Sequence, residues 1–184
     1  DRARERGLRV GAHVHELVYL KRLVAGGITE SAHVVRQAIP QDLMDIMLER
    51  NIYLTATLTN FFRHEDRYSA EDLQNSVDNV RRFVKFGGTV AVGTDTMRME
   101  SQPHVACMPV KELQLLHKAG LSVPQVIDAA TITAAKLCKI DNQVGSIEVG
   151  KNANIIAVRD PIDETFEALS HVEFVMNRGK VIKG

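Results

Sequence analysis

Short apolar runs alternate with longer amphipathic ones through the first half of the chain, and this alternation constrains the fold more than any other feature. Residues 8–13 read as a strand, separated from a preceding helix by Gly7 as a cap. In residues 16–24 the apolar Leu17, Val18, Leu20, Leu23 and Val24 recur at helical spacing, and Gly26-Gly27 ends that helix. Residues 28–34 form a second short strand candidate. Pro40 opens a helix whose face carries Leu43, Met44, Ile46, Met47 and Leu48. Residues 52–58 are rich in β-formers. Ser69 with Glu71 and Asp72 starts a helix with acids at its positive end, and it runs to Phe86 before Gly87-Gly88. Residues 89–93 are nearly all apolar, as expected of a parallel strand covered on both faces. The order strand, helix, strand, helix, strand, helix, strand implies βαβ units and a parallel sheet, an α/β fold.

Helices follow at about 105–118, 124–130 and 133–138. The character then changes. Glycines punctuate short β-like runs at 154–159 and 173–182, the second reading as a hairpin around Asn177-Arg178-Gly179. The expected division is residues 1–142 as the α/β part and 143–184 as a small β appendage.

Composition narrows the function classes. The 184 residues carry 23 Lys+Arg and 23 Asp+Glu, so no broad field exists to bind nucleic acid or an anionic membrane. The apolar runs fall far short of the roughly 20 residues a membrane helix needs. Two cysteines, Cys107 and Cys138, make no disulfide framework and fit a reducing, cytoplasmic setting. The chain opens on Asp1-Arg2-Ala3-Arg4-Glu5-Arg6, with neither Met nor an apolar leader, and reads as a piece of a longer protein entered at the end of a helix.

The polar residues that punctuate the strands carry the chemistry. His13 closes the first strand, His33 the second, and Asp95 follows the fourth. Active sites of parallel α/β folds lie at the carboxyl ends of the strands. A single histidine there is more often structural, but three metal-capable groups at three strand ends favour a metal site. Neutral imidazoles suit a borderline divalent ion such as zinc, and a carboxylate beside it can ligate and accept a proton from metal-activated water.

His13-Val14-His15, His33 after Gly27-Ile28-Thr29-Glu30-Ser31-Ala32, and Gly93-Thr94-Asp95 resemble the motifs at strands 5, 6 and 8 of the amidohydrolase superfamily. The run Ala129-Ala130-Thr131-Ile132-Thr133-Ala134-Ala135-Lys136-Leu137, with Gly145-Ser146-Ile147-Glu148-Val149-Gly150-Lys151 after it, resembles a further signature of that superfamily, near imidazolonepropionases and zinc-dependent Xaa-Pro or Xaa-Arg dipeptidases. Asn154 stands where that signature usually has Asp.

The resemblance implies a (β/α)8 barrel with a β-sandwich, of which this chain would be the carboxyl-terminal half: barrel strands 5 to 8 plus the end of the sandwich. It implies His13 and His33 as metal ligands, and Asp95 as ligand and general acid/base. One or two divalent ions, zinc by default, would activate water to cleave an amide, cyclic amide or peptide-like C–N bond of a small molecule. The strand-1 H-x-H pair and the strand-4 ligand of the superfamily are not among these residues. The chain is therefore expected to associate with the missing amino-terminal half or with itself. An aminohydrolase (deaminase) resting on Glu16, or an inactive structural module, are the alternatives.

The remaining polar residues divide by position. His15 and His104 are candidates for substrate contact. Glu16 more simply starts a helix, where a carboxylate suits the dipole. His64 lies in a polar loop, and His117 and His171 read as surface or packing residues. Cys107 and Cys138 have no basic neighbours to activate them. Thr57 and Thr59 are plausible pocket liners, and Met44 and Met47 belong to the core.

Overall fold

The computed structural model describes residues 2–63, 67–95 and 108–184. After a short α1 (Arg2–Glu5), the order is β1 (Gly11–His13), α2 (Leu17–Gly26), β2 (Glu30–Ala32), α3 (Gln41–Glu49), β3 (Tyr53–Ala56), α4 (Asn60–Arg63), α5 (Ala70–Lys85) and β4 (Val90–Val92). The four strands form one parallel sheet in the order β1-β2-β3-β4. Each strand pairs with its successor across an intervening helix, as alternation predicts. Next come α6 (Met108–Lys118), α7 (Val123–Ala130) and α8 (Ile132–Leu137). A separate antiparallel sheet, β5 (Ile155–Val158), β6 (Val172–Asn177) and β7 (Lys180–Lys183), closes the chain.

The helix boundaries follow local chemistry. Ser69 caps α5 reciprocally: its side chain accepts from the Asp72 N–H while the Asp72 carboxylate accepts from the Ser69 N–H. Ser122 and Gln125 do the same for α7, where Pro124 sits at the first turn. Gly7 and Gly27 adopt positive φ at the ends of α1 and α2.

The sheet has two unlike faces. Ser31, Leu54 and Val90 lie in register across β2, β3 and β4 and are all buried. His13, Ala32 and Thr55 register on the opposite face, where His13 is exposed and the other two are half-buried. The core joins sheet and helices through Leu20, Met44, Met47, Leu54, Phe83 and Leu116. Phe166, with no exposed surface, brings the segment before β6 into the same core, and Gln114 of α6 donates to the Thr165 carbonyl at 2.8 Å.

Two elements carry no sequence signal. The single turn α4 and the 3-10 turn Glu167–Ser170 are too short to show periodicity. The four parallel strands are also shorter than their apolar runs: β1 lacks residues 8–10 at its start, and β2, β3 and β4 lack one or two residues at each end. Among the described residues, no helix is long and apolar enough to cross a membrane.

Candidate metal centre

His13 is the last residue of β1, His15 follows two residues on, and His33 comes directly after β2. One ligand-capable atom from each of the three lies within 4.8 Å of the others. His33 Nε2 stands 2.7 Å from His13 Nδ1, and the His15 and His33 rings stack at 4.3 Å. The expected pair His13 and His33 is therefore brought together, and His15 joins them instead of standing apart.

The second nitrogen of His33 is also fixed: Nδ1 lies 2.6 Å from Thr57 Oγ1, at the carboxyl end of β3. Holding one ring nitrogen in this way sets the orientation and tautomer of the imidazole and leaves the other aimed into the cluster. Burial pushes the pKa of His33 down to about 4, and the neighbouring His15 and His13 push the same way against Asp95. His33 is thus a neutral imidazole at neutral pH, the form that donates a lone pair to a cation.

Asp95 ends the described part of the β4 loop. Its Oδ2 accepts from Asn60 Nδ2 at 3.2 Å, and its charge reaches His33. Gly93 lets this loop approach β3, since a Cβ there would stand 2.6 Å from Thr55 Cγ2 and 3.4 Å from the Ala56 carbonyl. His33 and Asp95 both have positive φ, +83° and +49°. Side chains rarely accept such backbone, and residues held in it cluster at functional sites. The donor set fits a divalent ion: three convergent imidazoles, one of them buried and neutral, with a carboxylate in the loop after β4, two strands along from β2.

Glu16 sits at the amino-terminal cap of α2 without capping it. Its carboxylate instead pairs with Arg36 and accepts from Gln37 Nε2 at 2.6 Å. Burial raises its pKa, but the bonds to Gln37 and Arg36 together outweigh that and hold it below the usual carboxylate range. Glu16 thereby ties the loop after β1 to the loop after β2. His104, His64 and Cys107 lie outside the described residues. His117 is a packing residue, its Nδ1 at 2.8 Å from the Leu121 carbonyl oxygen and its ring against Phe166. Cys138 is exposed and free, and Met44 and Met47 are fully buried.

Two contributors escape a reading by strand ends. Asn60 lies in α4, which has no periodicity. Glu112 lies on α6 among the buried Val110, Leu113, Leu115 and Leu116, with no exposed surface of its own. Its signal was present as an acid at helical spacing within an apolar stripe, where an unpaired charge is costly. Both its oxygens are engaged at the end of β3, accepting from the Leu58 N–H at 3.0 Å, the Thr59 N–H at 2.8 Å and the Thr59 hydroxyl at 2.9 Å. Burial nevertheless pushes its pKa up to about 7 against these donors.

Comparison with known proteins agrees with the fold. The imidazolonepropionase of Shouchella clausii is 27% identical over 194 aligned positions, covering 99% of this chain and 39% of that protein. Among solved structures, a Xaa-Pro dipeptidase with methionine bound in its active site superposes with a TM-score of 0.77 at 24% identity, covering 99% of this chain and 46% of that one. Ochratoxinase from A. niger superposes with a TM-score of 0.75 at 26% identity, covering 96% of this chain and 42% of that one. The chain spans about two fifths of the length of the curated relatives that match along all of it. The amidohydrolase family profile matches residues 1–184, and this chain belongs to the amidohydrolase family.

Proposed function

We propose that the chain forms the carboxyl-terminal half of a metal-dependent hydrolase of amide, cyclic amide or peptide-like C–N bonds. Residues 1–142 would supply four strands and their helices to a (β/α)8 barrel, and residues 143–184 part of a composite β-sandwich. The observation that carries this reading is the convergence of His13, His15 and His33 after β1 and β2, with the charge of Asp95 after β4 reaching His33, all beyond the carboxyl ends of one parallel sheet. Relatives named imidazolonepropionase and s-triazine hydrolase support this class of bond.

His13 and His33 would hold the ion, with Asp95 as a further ligand and His15 beside them toward the substrate. A bound divalent ion, zinc by default, supplies Lewis acidity and lowers the pKa of water to about 7. The chain's own residues then carry the proton. The Asp95 carboxylate takes it from the attacking water and delivers it to the departing nitrogen. Asn60 Nδ2 donates to Asp95 Oδ2 and so fixes the direction in which the other oxygen points. Thr57 holds the His33 ring in the orientation needed for ligation.

Glu16 is poorly placed to be the proton shuttle of a deaminase, since its two oxygens already serve Arg36 and Gln37. Equilibrium dialysis against zinc tests the ligand assignment directly. With the strand-1 and strand-4 ligands outside it, the chain alone should bind the ion weakly, and His13→Ala and His33→Ala should each abolish that binding; undiminished zinc in both variants would overturn the assignment. In the assembled enzyme, Asp95→Asn should lower turnover of Xaa-Pro dipeptides or cyclic amides by several orders of magnitude.

A further inference from the structure

Residues 57–60 form a turn closed by the Asn60 N–H to the Thr57 carbonyl at 3.0 Å. The amides of its two middle residues, Leu58 and Thr59, have no partner inside such a turn. Leu58, Thr59 and Asn60 are all buried, so these amides need an acceptor from elsewhere. Glu112 of α6 is that acceptor, one oxygen on each amide, with the Thr59 hydroxyl as third donor. No hydrogen bond or ion pair joins a cation to Glu112 among the described residues. A buried acid with only such partners is costly to keep for packing alone, and a Leu would fill the same stripe.

The two outer residues of the turn are the ones that reach the site. Thr57 Oγ1 is 2.6 Å from His33 Nδ1, and Asn60 Nδ2 donates to Asp95. We propose that Glu112 is a positioning residue that clamps the turn at its middle and thereby sets His33 and Asp95, on two different strand ends, relative to one another. This rests on the reading of His33 and Asp95 as metal-site residues. Glu112 touches neither of them and acts through Thr57 and Asn60.

Glu112→Gln tests the clamp at pH 8, where Glu112 is a carboxylate. Gln is isosteric, but its NH2 would face one of the two amides and leave that donor without an acceptor. The first readout uses metal-free protein: long-range 1H–15N spectra of the His33 ring nitrogens, which report the Nδ1 partner and the tautomer. The expected result is a folded variant, with near-UV circular dichroism retained, whose His33 nitrogen signals move toward those of a free imidazole. The second readout is cobalt binding, with an affinity loss of about 10- to 100-fold and an altered visible spectrum. The Glu112→Gln effect on the His33 signals should also shrink in a Thr57→Val background, since the two changes cut one chain of contacts.

A folded Glu112→Gln protein with unchanged His33 signals and an unchanged cobalt spectrum overturns the proposal and leaves Glu112 a packing residue. Should that variant fail to fold, Thr59→Val, which removes one of the three donors, decides by the same His33 signals: movement supports the clamp, and none overturns it. If wild-type protein binds no cobalt while Glu112→Gln still moves the His33 signals, the metal reading fails and the clamp stands.

Discussion

Glu112 gives the fold a dependence on pH that can be measured without any metal. Its pKa rises from 4.5 in the unfolded chain to about 7 in the fold. Between those values the folded state holds a proton that the unfolded state has released. Stability therefore falls as pH rises through this window, opposite to a salt-bridged acid. Each tenfold difference in proton affinity between the two states is worth about 1.4 kcal/mol, so the loss from pH 5 to pH 8 is about 2 to 3 kcal/mol. Full burial means that no solvent screening reduces this figure. His33 acts in the other sense, because its pKa is lowered from 6.5 to about 4 and stability is lost as pH falls through that range. The two opposing effects overlap, so the wild-type profile alone would hide both. Recording the profile in a His33→Gln background, with Glu112 present or replaced by Gln, removes the histidine titration, and the difference between the two isolates Glu112. Urea unfolding midpoints at half-unit steps from pH 5 to 8 give both curves. That difference in stability should decline across the window by the amount stated; a flat difference would refute the reasoning that burial dominates the three donors.

Three further expectations concern the framework. Phe83 is 1% exposed in the main core, and Phe83→Ala should cost about 3 to 5 kcal/mol, read from urea midpoints. Ser69→Ala removes one half of the reciprocal cap on α5 and should cost about 1 kcal/mol, measured the same way. Ile147, Val149, Ile156, Val181 and Ile182 are all exposed in the carboxyl-terminal segment, and the parallel sheet ends on β1 and β4. Light scattering should accordingly report a mass above the 20.4 kDa of one chain, and a strict monomer would contradict the expected association.

The α/β class and the sequence of elements were legible because each apolar run, cap and glycine pair agrees with its neighbours. Ser69, Gly7 and Gly27 each end or start a helix where their chemistry predicts. His13 and His33 were legible for a different reason: an ionisable residue directly after an apolar strand is out of pattern. What escaped lies across the sheet from the strand that reveals it. Glu112 is 53 residues from Thr59 and looks like part of a helix stripe until the turn it grips is seen. Thr57 reads as a pocket liner from sequence, and only the 2.6 Å contact shows it holding an imidazole. His15, two residues after His13, stands on the face that strand alternation assigns to it, with its ring 4.7 Å from His13 and stacked on His33.

The left-handed backbone at His33 and Asp95 bears on how such a chain drifts under mutation. At φ of +83° and +49° both backbones are strained by roughly 1 kcal/mol, but glycine at the buried His33 would open a cavity and strip Thr57 Oγ1 of its partner, so only the exposed Asp95 can shed its strain cheaply. A library screened only for thermal tolerance should therefore enrich glycine at 95 and keep His33, and lose the carboxylate of the site as it gains melting temperature. The same trade leaves a trace that can be sought in relatives: lineages released from selection for turnover should show position 95 relaxing before His33 and the rest of the core.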